Sequence, residues 1–172
     1  VPWANDLGLR GIGEAHVTEP VGLHRATAAE AVWVIGDRVS FAGPLPGTDF
    51  VLVDIEVPAG SGTPLHRHAS PELFRVLSGE LVFAGEAGWA APLRAGPGDV
   101  VSVPPSAIHA YRNPGLAPAR MLVVLDRAME AFFRDLGADA PLPGPPGAEE
   151  LARIGAACAR HRVELLESPP TA

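Results

Sequence analysis

Between Glu30 and Arg127 the chain is interrupted repeatedly by glycine and proline, so only short elements can form there. The 19 glycines and 19 prolines are too many for a helical bundle and suit strands joined by tight turns. Between the breaks the hydrophobic pattern is that of strands. "AVWVIGDRVSFAG" gives two β-rich runs with Gly36-Asp37 between them, a hairpin signature. In "DFVLVDIEVP", Val51, Val53, Ile55 and Val57 fall on one face, with Asp54 and Glu56 on the other. "ELFRVLSGELVFAG", "GDVVSVPP", "AIHAYRN" and "ARMLVVLDR" continue the series. Such a run of short strands predicts a β-sandwich or barrel.

At Asp126 the period changes. "RAMEAFFRDLG" is helical and stops at Gly137, "ADAPLPGPPG" is an extended connector, and "AEELARIGAACARHRVELL" reads as a second helix. Leu151, Ile154 and Cys158 form the apolar stripe of that helix, and Arg153, Arg160 and Arg162 its solvated face. The expected organisation is an N-terminal arm over 1–29, a β-barrel over 30–127, and a helical tail with a proline-rich connector over 128–172.

Charge and composition exclude several functions. A chain of 172 residues with 47% hydrophobic content can bury a real core. Its net charge is −7, and its 13 basic residues, all arginine, are scattered without a run. That argues against nucleic acid or an anionic membrane surface as a partner. With no lysine, Schiff-base chemistry on lysine is excluded. Cys158 is the lone cysteine, so no intramolecular disulfide forms, and it reads as a small buried hydrophobe. No apolar segment is long enough to span a bilayer. The first residues, "VPWANDLGLRGIG", do not look like a signal peptide, and the cytoplasm is the expected location.

The chemistry concentrates in "GSGTPLHRHASPE", residues 60–72. Alternate residues of a strand point the same way, so His66 and His68 can both face a barrel interior. Glu72 opens the next strand on the apolar face of Phe74 and Val76, where a lone carboxylate is costly unless something pairs with it. His109, beside Ala107 and Tyr111 on another strand, is the plausible fourth member. Three histidines and a glutamate form a mixed N/O set suited to one divalent first-row transition metal, with Fe, Mn, Ni, Cu, Co and Zn not distinguished. The competing reading is a metal-free barrel with a polar lumen.

The spacing extends beyond these four residues. Gly60, five residues, His66, one, His68, three, Glu72, six, then Gly79 resembles the first cupin motif. Gly98, five residues, Pro104, one, Ser106, two, His109, three, then Asn113 resembles the second, except that Ser106 stands where that motif has glycine. The resemblance covers roughly residues 30–127 and implies a double-stranded β-helix, the jelly-roll barrel, holding a metal at His66, His68, Glu72 and His109. The tail resembles that of single-domain cupins similar to quercetin dioxygenase. That likeness implies a metal-dependent oxygenase acting on a small organic substrate, with O₂ as a second partner. A non-redox isomerase or lyase, or a non-catalytic small-ligand-binding cupin, are the alternatives. Glu72 and Tyr111 are the candidate catalytic residues, although a tyrosine filling the core fits Tyr111 equally well. Gly60, Gly79, Gly98, Pro104 and Asn113 read as turn formers, and His16, His24 and His161 as surface or packing residues. Leu73 and Leu77, on the face opposite Glu72, need cover, and a homodimer is expected to supply it.

Overall fold

The computed structural model describes residues 21–25 and 29–166. Most of the expected N-terminal arm, with His16, lies outside the described residues. The first strands are β1 (Ala31–Val34), β2 (Asp37–Pro44), β3 (Phe50–Val57), β4 (His66–Arg67) and β5 (Glu72–Ser78). They are followed by β6 (Leu81–Gly85), β7 (Gly88–Ala95), β8 (Val100–Val103), β9 (Ala110–Arg112) and β10 (Ala119–Asp126). Helices α1 (Arg127–Leu136) and α2 (Ala148–His161) and a final strand, β11 (Glu164–Leu165), complete the described chain.

One layer is a six-stranded antiparallel sheet in the order β1-β2-β3-β10-β5-β8. Its inner face follows from period-2 alternation. Val51, Val53, Ile55 and Val57 of β3 are buried, as are Ala119, Met121, Val123 and Leu125 of β10. Register places Val123 beside Val53 on one side and Phe74 on the other, so the strands share one apolar wall. Truncating one of these side chains to alanine costs about 2–5 kcal/mol when the neighbours cannot close the gap.

The opposite layer is assembled from β7-β6-β9 and the small β11-β4 pair. A bridge between His66 and His109 joins the two pieces. Phe83 and Tyr111 project from this layer towards Phe74, with ring centroids 5.4–6.1 Å apart. Asn113 sits fully buried behind them and satisfies all its polar atoms, donating to Val57 O and Ala117 O and accepting from Gly115 N.

Three local readings are corrected. The β1–β2 turn is Ile35-Gly36, one residue earlier than Gly36-Asp37, so Asp37 begins β2 and pairs with Val34. Gly36 is needed where it stands, since a Cβ there would lie 2.7 Å from Ser61 Oγ. The second helix ends at His161. Arg162 turns left-handed (φ 56) and Val163 N–H bonds back to Cys158 O, releasing Glu164–Leu165 to pair with β4. On α2, Ile154, Ala157 and Cys158 are buried while Leu151 is exposed. Arg153 and Arg160 do lie on the solvated face, and they are engaged there. They bond Leu136 O and Asp135 and stitch α2 to the end of α1.

Helix α1 starts where Asp126 accepts from Met129 N–H at 3.0 Å. It buries Met129, Phe132 and Leu136 against the barrel. The expected C-terminal helical appendage thus packs on the β-domain and walls one end of its cavity.

Candidate metal centre

His66, His68 and His109 reach one point from two segments. His66 and His109 face each other across a backbone bridge, each N–H donating to the other's carbonyl at 3.0 and 2.9 Å. His68 lies just past the end of β4, not within it. Its carbonyl is fixed by Ser106 N–H at 2.8 Å, which ties the two motifs together. The ring centroids are 4.2–5.4 Å apart, and one ligand atom from each ring lies within 4.8 Å of the others.

The hydrogen bonds set which nitrogen each ring offers. His66 Nδ1 donates to Pro64 O at 2.8 Å and His109 Nδ1 to Ala107 O at 2.9 Å. With Nδ1–H committed to a carbonyl, Nε2 is the nitrogen left to bind an ion. His68 is the telling residue: it is buried, and neither ring nitrogen has a partner. A buried polar atom without a partner costs about 1–3 kcal/mol, so something outside the chain is expected to take it up. A cation binding through imidazole nitrogen fits that requirement.

Glu72 closes the cluster. Its Oε2 lies 3.1 Å from His109 Nε2 and 3.7 Å from His68 Nε2. Burial pushes its carboxyl up, but the hydrogen bond with His109 and the proximity of both rings outweigh that and hold it at about 2. His66 moves the other way for a histidine: burial and then the neighbouring His109 bring it down to about 4, so the ring is neutral and available near neutral pH. His66, His68 and His109 thus form a group compatible with one metal ion, and Glu72 adjoins two of its three rings.

His66, Glu72 and His109 line a cavity with largely apolar walls. Val39, Ile55, Phe74 and Val123 come from the sheet, and Phe132, Leu136, Ile154 and Cys158 from the two helices. Tyr111 also lines it, but its hydroxyl is engaged, donating to Asp37 Oδ2 at 2.6 Å. Asp37 itself is the residue that sequence reasoning missed. Set beside Gly36, it looked like half of a turn. The one available signal was a hairpin whose strands could also close on Ile35-Gly36, turning Asp37 inward with Val39 and Phe41. His24 and His161 lie away from the cluster, and His161 contacts Asp135 and the Phe132 ring. No helix among the described residues is long and apolar enough to cross a membrane.

A model described as Cupin domain matches residues 53–125. Among solved structures, the polyketide cyclase RemF from Streptomyces resistomycificus is 24% identical at a TM-score of 0.54, over 62% of this chain and 80% of that one. An RmlC-like cupin from Shewanella frigidimarina is 19% identical at 0.54, over 63% and 92%. A sugar phosphate isomerase from a cupin superfamily, from Silicibacter pomeroyi, is 27% identical at 0.47, over 54% of this chain and 60% of that protein's length. No curated protein matches the chain in sequence. The fold is the cupin jelly roll with small C-terminal helices. The domain match, with the first two of these fold neighbours, supports the cupin superfamily.

Proposed function

We propose that this chain is a metal-dependent enzyme acting on a small organic molecule, with His66, His68, His109 and Glu72 holding one divalent transition-metal ion. The observation that carries the reading is His68, buried with both nitrogens unpartnered beside two rings already oriented by backbone carbonyls. A bound ion would polarise an oxygen-bearing substrate as a Lewis acid and, if redox-active, would also open chemistry with O₂. The protein's own share is positional. Pro64 O and Ala107 O fix two imidazoles, the Glu72 carboxylate offsets the charge, and the apolar walls hold the substrate body and exclude water.

Within this reading, an oxygenase similar to quercetin dioxygenase comes first, supported by the two motifs, the mixed N/O donor set and the apolar lining. A non-redox isomerase or lyase comes second, and one specific observation favours it: Asp37 supplies a buried acid in the cavity that neither motif contains. Oxygen uptake separates the two. The protein is loaded with Fe, Mn, Ni, Co, Cu or Zn in turn and offered enediols, flavonols and β-diketones with and without O₂. Metal-dependent O₂ consumption supports the oxygenase, and anaerobic conversion of substrate supports the isomerase or lyase. Tight binding without turnover points to a ligand-binding protein, and failure to take up any metal overturns the proposal.

A further inference from the structure

Asp37 lines the same cavity as His66, His109 and Glu72, yet stands on a strand that carries no expected ligand. It is 3% exposed. Both its partners are neutral hydroxyls, Tyr111 donating to Oδ2 at 2.6 Å and Ser61 to Oδ1 at 2.5 Å. A carboxylate buried for structural reasons is ordinarily balanced by a cation, and these hydroxyls bring none. The backbone beside it is also strained. Ile35, a β-branched residue, is held at φ 62 at the cavity wall, where glycine would be the ordinary choice. Buried uncompensated acids and strained backbone concentrate at working sites.

We propose that Asp37 is a second acid–base group of this cavity, exchanging one proton with an enol, enediol or β-diketone whose oxygens face the histidine cluster. The inference rests on the metal-dependent reading above and deepens it by naming a substrate class. The proton leaves a substrate O–H, or the C–H between two carbonyls, for a carboxylate oxygen of Asp37. The electron pair of the broken bond stays on the substrate as an enolate, and return of the proton to another atom completes an isomerisation with no oxidant consumed. Tyr111 and Ser61 orient the carboxylate, each occupying one lone pair and leaving another on either oxygen. The other titratable groups lining the cavity are Glu72 of β5, His66 of β4, His109 before β9, Tyr111 of β9 and Cys158 of α2. Burial raises the Asp37 carboxyl to about 6 against the opposing hydrogen bonds from Ser61 and Tyr111, close to where a general base works best.

Calorimetric titration of acetylacetone into the zinc-loaded protein, in buffers of different ionisation enthalpy, counts protons released on binding without any redox step. Near neutral pH, Asp37→Asn is expected to release about one proton per chain more than wild type, because wild type retains it on Asp37. The difference should vanish by about pH 5, where Asp37 is already protonated. Should the asparagine variant not fold, Tyr111→Phe withdraws a hydrogen bond from the carboxylate and should move the onset of proton retention to higher pH. Equal proton release in wild type and Asp37→Asn, or an unmoved onset in Tyr111→Phe, overturns the role of Asp37 and leaves the metal site standing. Zinc uptake without acetylacetone binding overturns the substrate class and, with it, that role. Failure to bind zinc overturns both this inference and the functional proposal.

Discussion

Ser106 occupies a position built for glycine, and the energetic consequence can be worked out. Ala107 N–H bonds Pro104 O at 3.2 Å, closing a turn in which Pro105 comes second and Ser106 third, at φ 65. Positive φ at the third residue is the type II pattern, which favours glycine there. The left-handed conformation costs an L-residue about 1–2 kcal/mol. Glycine escapes that cost but loses about 0.5–1 kcal/mol more in chain entropy on folding. The difference predicts that Ser106→Gly stabilises the protein by about 0.5–1 kcal/mol. For a chain of this size that raises Tm by about 1–4 °C. Because Ser106 is exposed and engages His68 O through its backbone N–H, metal affinity should not change. Ser106→Val, β-branched at the same φ, should lose about 1 kcal/mol or more. Thermal and urea unfolding of metal-free and metal-loaded protein measure both. A glycine variant that is less stable than wild type, or that binds metal more weakly, would show that the serine side chain has a role this geometry does not give it.

Replacing His66 and His109 together with alanine should abolish metal uptake by elemental analysis, and full occupancy in that variant would rule out the assigned ligands. Glu72 is held ionised at about 2, which suits a ligand better than a base. Activity lost in Glu72→Gln should therefore track lost metal and return when metal is added in excess; inactive protein with full metal would point to proton transfer instead. Asp37, raised from 3.8 to about 6, binds a proton more readily folded than unfolded, so its contribution is complete below pH 3.8 and is lost as pH rises through 6. Asp37→Asn should thus gain stability over wild type at alkaline pH, by at most about 3 kcal/mol, and show no gain in acid when melts are compared across pH. Leu73, Leu77 and Val100 remain 42%, 38% and 53% exposed on the outer face of the six-stranded sheet. A homodimer through that face should give twice the chain mass by light scattering at tens of micromolar, and Leu73→Asp should shift it to monomer.

The barrel was legible because its signals are local and redundant. Four apolar residues alternating along β3 and four more along β10 leave one way to face the core, and the motif glycines fall where the chain turns left-handed, Gly60 and Gly79 at φ 76 and Gly98 at φ 95. The convergence of His66, His68 and His109 was legible because their spacing encodes which strands meet. What escaped is non-local. Asp37 reads as a turn residue until Tyr111, far along the chain, is seen to donate to it. Val163–Leu166 continues a helical pattern, and only the pairing partner supplied by β4 makes a strand preferable there. The roles of Arg153 and Arg160 depend on where α1 ends, which α2 alone cannot reveal.

The tail meets the histidine cluster at a strand of two residues. Strand β4 is only His66–Arg67, too short to be stable by itself. On one side it is held by the bridge to His109, and on the other by β11, with Leu165 opposite His66 and Arg67 paired to Glu164. Leu166 N–H reaches Leu65 O just before it. The same tail carries Ile154, Cys158, Val163 and Leu165 into the cavity wall. The α2–β11 segment therefore both pairs with the strand that carries His66 and walls the cavity. A metal that binds only the ordered strand must, by linkage, favour the docked tail to the same extent that the docked tail favours the metal. The helices at the end of the chain thus belong to the site's energetics although they supply none of the four expected ligands.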